Sequence, residues 1–261
     1  MCMLFFDIDG TVVCADGSIP ASAVVAIKRL QARGHMCFVN TGRPYVDLYP
    51  PLTDIPWDGY ICNCGQDILV QGEHIYHHGI DETAGSAIIE MAKKCRGGLY
   101  YESFDQVAID NWFHIRTPII EDAVKRFTDR GIAVRSLSET PGFRLEKICF
   151  FYDDNSDVDS FIRFISSYCT IIDRKSNFFE LPAIGCSKAS GIAHLCRRFG
   201  TSPENCYAFG DSENDLSMLQ YVGHPIVMQH APESVRKLAQ LIAPSPEHDG
   251  IYTAATQLGL I

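Results

Sequence analysis

Six polar side chains that could take part in catalysis stand where predicted strands and helices begin or end. Four are carboxylates, one is a hydroxyl and one is an amine. They are Asp7, Asp9, Thr41, Asp211, Asp215 and Lys188. Because ligands bind at the carboxyl ends of parallel strands, we expect these side chains to converge at one edge of a sheet.

The elements that would carry these residues are short apolar runs. Met3–Phe6, Met36–Val39 and Cys206–Phe209 each read as a buried strand, because continuous apolar runs are typical of parallel sheets covered on both faces. The first ends at Asp7, and the second leads into Thr41. The third leads into Gly210-Asp211, while Lys188 begins a predicted helix.

This set of groups favours phosphoryl transfer. Clustered carboxylates repel one another, and oxygen ligands without a nearby His or Cys cluster favour Mg²⁺ over zinc. Asp7 can attack phosphorus, and a second carboxyl group at Asp9 can serve as general acid and then base. Lys188 and Thr41 can hold the phosphoryl oxygens, while Gly10 and Gly42 let backbone N–H groups approach an anion. Arg43 is a candidate substrate contact.

Composition limits the choice of partner. The 261 residues are 46% hydrophobic and carry a formal net charge of −10, which disfavours nucleic acid but allows a small phosphorylated metabolite beside a metal ion. No apolar run approaches the roughly 20 residues that span a bilayer, so no membrane role is expected. The 11 cysteines, without a C-x-x-C pair, indicate reduced thiols in a cytoplasmic protein. The sequence does not indicate an oligomeric state.

The order of elements predicts an α/β fold. A doubly wound parallel-sheet (Rossmann-like) core is expected over residues 1–80 plus 185–261. Residues 81–184 alternate strands and helices with a different rhythm, which predicts an inserted α+β domain that determines substrate specificity. Two elements in this region are a helix over 82–94 and a strand over 169–172. Near the end of the chain, a helix is predicted over 232–239.

The ordered motifs resemble the haloacid dehalogenase superfamily, in its Cof-type phosphatase branch with a C2-type cap. D-x-D-G-T covers 7–11, Thr41 lies in N-T-G-R-P, Lys188 stands alone as the third motif, and G-D-x-x-N-D covers 210–215. The chain departs from the family pattern at Cys64, Ala189 and His230, and none of these changes removes a catalytic group.

The resemblance implies a role for each motif residue. Asp7 is expected to be nucleophile and metal ligand, with Asp9 as acid/base that also gives its backbone carbonyl to the metal. Asp211 completes the protein's metal ligands, and Asp215 orients Lys188 or metal-bound water. The expected phosphate or substrate contacts are Ile8, Gly10, Thr41, Gly42, Arg43, Lys188 and Asn214. Asp7, Asp9, Asp211 and Asp215 together form the expected Mg²⁺ site.

The function expected from these motifs is magnesium-dependent hydrolysis of small phosphomonoesters, either sugar phosphates or phosphorylated cofactors, through an aspartyl-phosphate intermediate. One alternative is a sugar phosphomutase of the same superfamily, which would isomerise a hexose phosphate rather than release phosphate. Another is a catalytically weak sensor of phosphorylated metabolites, although a sensor has no need of Asp9.

Overall fold

The computed structural model describes residues 1–261, which divide into two compact units. The first, here called the core unit, comprises residues 1–43, 48–76 and 187–261. The second, here called the insert unit, comprises residues 77–186 together with the short segment 44–47. The segment 44–47 joins the insert unit although its neighbours on both sides belong to the core unit.

The larger sheet has eight strands in the order β13-β12-β11-β1-β2-β3-β4-β5. The six strands from β13 to β3 run parallel, and β4 pairs antiparallel with β3. The strands are β1 (Met3–Phe6), β2 (Met36–Asn40), β3 (Gly59–Cys62), β4 (Asp67–Val70), β5 (Glu73–His77), β11 (Cys206–Gly210), β12 (His224–Met228) and β13 (Leu241–Ala243).

Strand β1 lies inside this sheet because its four residues are all apolar. Met3–Phe6 are fully buried, which suits a parallel strand covered by helices on both faces. Phe6 stacks on Phe209 of β11 with ring centroids 4.7 Å apart, and Phe5 stacks on Phe38 of β2 at 5.5 Å. These aromatic pairs tie β1 to both neighbouring strands.

Five helices belong to the core unit. The two longest are α1 and α5, with 12 residues each. Arg29 of α1 donates a hydrogen bond to the hydroxyl of Tyr252 in α8. Helix α5 begins directly after Ser187, whose side chain caps its N-terminus. Helix α5 ends at Gly200, whose left-handed backbone suits a glycine C-cap. The helices are α1 (Ala21–Ala32), α5 (Lys188–Phe199), α6 (Leu216–Tyr221), α7 (Glu233–Arg236) and α8 (Gly250–Gln257).

The insert unit is built on a five-stranded sheet in the order β7-β6-β8-β10-β9, and every pair in it is antiparallel. Three helices accompany it, and each begins behind a side-chain N-cap, from Asp81, Thr117 and Asp157. The elements are α2 (Glu82–Lys94), β6 (Gly98–Glu102), β7 (Val107–Asp110), α3 (Pro118–Asp129), β8 (Lys147–Phe151), α4 (Val158–Ile165), β9 (Ile172–Asp173) and β10 (Phe178–Leu181).

Two hydrophobic clusters cover opposite faces of the insert sheet. One joins Tyr101 and Phe150 to residues of α2 and α4. The other joins Tyr100 and Phe151 to Phe127 of α3. Because successive side chains of a strand point to opposite faces, the adjacent tyrosines of β6 belong to different clusters.

The observed elements confirm the predicted α/β fold class, but they correct the bounds of one strand and one helix. The helix predicted over 82–94 has those bounds in the structure. The strand predicted over 169–172 is wrong, because β9 covers only Ile172–Asp173 and Cys169 forms an isolated bridge to Ala183. The helix predicted over 232–239 is shorter, since α7 covers Glu233–Arg236. Sequence reasoning did not identify β13 or α8.

None of the eight helices is both long enough and apolar enough to cross a lipid bilayer. The longest, α2, has 13 residues and carries charged side chains at both ends.

Candidate active site

The strand register brings the predicted site residues to one edge of the larger sheet. Phe6, the last residue of β1, lies opposite Val39 of β2 and Phe209 of β11. The next one or two residues of each strand therefore emerge side by side. They lead to Asp7 in the first strand, Thr41 in the second and Asp211 in the third.

The ammonium group of Lys188 lies between two buried carboxylates. Its Nζ donates to Asp7 Oδ1 at 2.5 Å and to Asp215 Oδ1 at 2.6 Å. Lys188 and Asp215 are essentially inaccessible, and Asp7 is 5% exposed. These bonds join a strand end, a helix start and a loop that lie up to 208 residues apart in sequence.

The second oxygen of Asp215 holds the loop that carries Asp211. Asp215 Oδ2 accepts from the backbone N–H of Asp211 at 2.9 Å and of Ser212 at 3.0 Å. Both Asp215 oxygens are thus engaged by protein donors. This arrangement fits a residue that orients Lys188 and the loop better than one that offers a free oxygen to a metal.

Asp211 faces the start of the first motif. Its Oδ1 accepts from Thr11 Oγ1 at 3.2 Å, and its Oδ2 lies 3.5 Å from His230 Nε2. A Cβ placed on Gly10 would stand 2.6 Å from Asp211 Oδ2, and Gly10 has φ +81°. Only glycine combines this backbone angle with the close approach of the carboxylate.

Three carboxylates form one cluster around a single ammonium group. Oxygens of Asp7, Asp211 and Asp215 lie within 4.8 Å of one another. Burial, reinforced by the charge of Asp215, raises the pKa of Asp7 to about 8 despite Lys188. Burial and Asp215 likewise raise the pKa of Asp211 to about 6. Burial lowers the pKa of Lys188, but Asp215 and Asp7 outweigh it and hold that pKa above its ordinary value. The cluster is short of positive charge.

Asp9 lies outside this cluster and is paired with Arg43. Arg43 Nε donates to Asp9 Oδ2 at 2.9 Å, and its Nη2 donates to Oδ1 at 2.5 Å. The Asp9 side chain is 59% exposed, so both partners are within reach of solvent. Arg43, expected as a substrate contact, forms a two-point ion pair with the expected acid/base residue Asp9.

The remaining expected residues make local hydrogen bonds in the loops that follow β1, β2 and β11. Thr41 is buried, and its Oγ1 accepts from the backbone N–H of Arg43 at 3.1 Å, across the intervening Gly42. The carbonyl of Ile8 accepts from three successive backbone N–H groups and turns the chain after Asp7. Asn214 Oδ1 accepts from Ser212 Oγ at 2.7 Å.

Sequence reasoning assigned no role to three residues that touch this centre. Thr11 and His230 contact Asp211. Asn40 is fully buried and donates to the backbone carbonyl of Lys188. A polar residue closing an otherwise apolar strand was the available signal for Asn40.

The comparisons with known proteins define the family. Residues 4–254 match the sequence profile of haloacid dehalogenase-like hydrolases. The chain therefore belongs to this family of hydrolases, whose members generally use a divalent metal, and the predicted resemblance is confirmed.

Relatives named as phosphatases cover almost the whole chain. A Bacillus subtilis (strain 168) protein named as a phosphatase, YkrA, is 27% identical over 99% of this chain and 98% of its own length. The 5-amino-6-(5-phospho-D-ribitylamino)uracil phosphatase YitU of the same organism is 24% identical over 95% of this chain and 94% of its own. The solved structure of the subclass IIB sugar phosphatase BT4131 is 27% identical with a TM-score of 0.83, covering 100% of both chains. The protein is a phosphatase of this family.

Proposed function

We propose that this phosphatase is magnesium-dependent and hydrolyses small phosphomonoesters through a phosphoryl group carried on Asp7. The observation that carries the proposal is the buried Asp7 carboxylate, 2.5 Å from Lys188 and clustered with Asp211 and Asp215. A buried carboxylate at a strand end, beside one ammonium group, can act as nucleophile while Lys188 holds phosphoryl oxygens.

The donor set fits a hard divalent cation. The cluster offers carboxylate oxygens and no sulfur, and one ammonium group, that of Lys188, bonds to two of its three carboxylates. Mg²⁺ would be held by Asp7 and Asp211, with Asp215 beside it and the backbone carbonyl of Asp9 as a further ligand. When bound, it would neutralise charge between the nucleophile and the phosphoryl group.

In the proposed first step, an Asp7 oxygen forms a bond to phosphorus and the ester P–O bond breaks. Asp9 gives its proton to the departing oxygen, so an alcohol leaves rather than an alkoxide. Lys188 and Thr41 stabilise the charge that spreads over the phosphoryl oxygens. Asn214 and the backbone at Ile8, Gly10 and Gly42 are the further phosphate contacts that we propose.

In the proposed second step, water attacks phosphorus and the bond between phosphorus and Asp7 breaks. Asp9, now ionised, accepts the proton of the attacking water. Inorganic phosphate leaves, and both Asp7 and Asp9 return to their starting states. Because Arg43 occupies both oxygens of Asp9 here, we propose that it orients this carboxyl group between steps.

We propose that the insert unit, residues 77–186 and 44–47, is the cap expected at residues 81–184 and that it selects the leaving group. A unit without any of the expected catalytic residues can change ester preference without changing phosphoryl chemistry. The names of YitU and BT4131 specify a phosphorylated ribitylaminouracil and sugar substrates for those proteins. For this chain we propose sugar phosphates or phosphorylated cofactors of similar size.

The proposal is tested by trapping the covalent intermediate. Wild-type and Asp9→Asn proteins are mixed with 4-nitrophenyl phosphate and Mg²⁺, quenched in acid and digested for mass spectrometry. We expect one phosphoryl group on the peptide that contains Asp7, at higher occupancy in Asp9→Asn. Phosphate release from both proteins without any modified peptide would contradict covalent catalysis. With hexose 1-phosphate, release of inorganic phosphate rather than hexose 6-phosphate separates the hydrolase from a mutase.

A further inference from the structure

Asn40 is a polar residue in a place where packing alone would select an apolar one. It closes β2 and is fully buried, as are Cys37, Phe38 and Val39 before it. Its Nδ2 donates to the backbone carbonyl of Lys188 at 3.1 Å and to Met218 Sδ at 3.5 Å. Its Oδ1 has no hydrogen-bond partner. A half-satisfied buried amide is destabilising, so the residue is poorly explained by core stability.

The hydrogen bond from Asn40 holds the backbone of Lys188, from which the lysine side chain extends. Lys188 is the first residue of α5, directly after the capping Ser187. The lysine side chain is long and flexible, so the direction of its ammonium group depends on how firmly its backbone is held. Since a carbonyl can only accept, the amide of Asn40 must present its nitrogen to Lys188.

Two glycines, Gly65 in the turn after β3 and Gly191 in α5, show that the same helix turn packs closely on β3 and the turn that follows it. A Cβ on Gly65 would lie 2.2 Å from the Ser187 carbonyl oxygen, and one on Gly191 would lie 2.4 Å from Ile61 Cγ2. The first turn of α5 therefore approaches the sheet more closely than side chains permit. Asn40 supplies the polar bond within this contact.

We propose that Asn40 is a positioning residue that fixes the first turn of α5 and so aims Lys188 at Asp7 and Asp215. This inference rests on the proposed function, in which Lys188 holds phosphoryl oxygens. Asn40 does not touch the reacting atoms. Its effect passes through the 3.1 Å bond to the Lys188 carbonyl.

The test is a double-mutant cycle between Asn40 and Lys188. Asn40→Leu keeps the number and branching of the side-chain heavy atoms and removes the donor, and Asn40→Ala removes it without adding methyl groups. Val39→Ala is the matched control, because it alters the same buried strand on the opposite face. Lys188→Met and the two double variants complete the cycle. The readouts are kcat and KM for 4-nitrophenyl phosphate and the affinity for inorganic phosphate by calorimetry, with Mg²⁺ present.

We expect Asn40→Leu and Asn40→Ala to lower kcat about ten- to a hundredfold, with KM changed much less. Val39→Ala should lose stability but keep its kcat. In the Lys188→Met background, the Asn40 changes should have little further effect on turnover or phosphate affinity, because residues acting through one group are not additive.

Two results would overturn the inference. One is an Asn40 variant that retains wild-type kcat, and Asn40→Ala provides this comparison even if Asn40→Leu does not fold. The other is an Asn40 effect that persists undiminished without Lys188. Wild-type turnover by Lys188→Met would instead refute the proposed role of the lysine, so the two failures are distinguishable.

Discussion

One buried carboxylate cluster in each unit of this protein can be compared, and the two clusters balance their charge differently. In the core unit, Asp7 and Asp215 flank the ammonium group of Lys188, and an oxygen of Asp211 lies within 4.8 Å of theirs. In the insert unit, the buried Asp47 has two guanidinium partners. Arg126 Nη2 lies 2.8 Å from Asp47 Oδ2, and Arg130 Nη1 lies 2.9 Å from Oδ1.

The contrast separates a structural ion cluster from a candidate reaction centre. Arg126 and Arg130 compensate Asp47 fully, and they tie the segment 44–47 to α3. Around Lys188 the carboxylates remain in excess, and burial raises the pKa of Asp7 and Asp211. Buried charge without compensation is costly, so it persists where function requires it. A bound divalent cation would restore the balance.

The largest expected effect is that of Asp7→Asn. An amide cannot attack phosphorus effectively, so turnover should fall by about 10⁴-fold or more. The measurement is kcat for 4-nitrophenyl phosphate, with circular dichroism to verify folding. A folded variant with near-normal kcat would exclude Asp7 as nucleophile.

Removal of divalent metal should have the next largest effect. Exhaustive chelation should reduce phosphate release by about 10³-fold, equivalent to several kcal/mol of lost charge stabilisation. Adding Mg²⁺ back to the same sample should restore the rate, which controls for damage by the chelator. Undiminished hydrolysis by the metal-free protein would refute the proposed role of Mg²⁺ at the core cluster.

Asp9→Asn should distinguish leaving groups. Loss of a general acid should slow hydrolysis of alkyl phosphates by about 10²- to 10⁴-fold. Nitrophenolate leaves without a proton, so its initial burst should be little affected, although steady-state turnover should fall because Asp9 is also the proposed base of the second step. The comparison uses stopped-flow bursts and steady-state rates; equal loss for both ester types in the first step would count against the acid role.

Replacing one buried carboxylate by an amide in each unit compares how the two clusters affect the free energy of unfolding. Asp47→Asn should lower the free energy of unfolding by about 1–3 kcal/mol, because the partly exposed guanidinium groups of Arg126 and Arg130 lose their charged, buried partner. Without metal, Asp7→Asn should be neutral or stabilising, because it relieves repulsion. Urea unfolding of both variants provides the measurement. A loss of stability in Asp7→Asn as large as that in Asp47→Asn would remove the distinction between the clusters.

The sequence predicted the parts of the site that depend on local pattern. Asp7 and Asp211 could be placed together because each follows an apolar run, and parallel strands share an edge. The partner of Asn40 could not be predicted, because Lys188 lies 148 residues away and one backbone carbonyl carries the bond. The pairing of Arg43 with Asp9 likewise depends on side-chain direction, which strand pattern does not specify.

The assignment of residues 44–47 to the insert unit could not be predicted from the sequence, for a similar reason. Residues 44–47 adjoin the second motif in sequence, but Tyr45 stacks on Phe104 with ring centroids 4.7 Å apart, and Asp47 binds α3. Tertiary contacts therefore assign this segment to the insert unit. The edge strand β13 was missed because its three residues offer too short a pattern.

The excess of carboxylates in the core cluster is tested most directly by the free energy of unfolding of the protein as a function of pH, with and without Mg²⁺. The pKa values of Asp7 and Asp211 rise from 3.8 to about 8 and about 6 on folding. Stability contributed by their protonated forms is therefore fully present below about pH 4 and lost as pH rises towards 8. The metal-free protein should lose about 2 kcal/mol or more over this range. Mg²⁺ should restore stability at pH 8, and much less so in Asp7→Asn. Equal stabilisation of both proteins by Mg²⁺, or no dependence on pH and metal, would contradict the account.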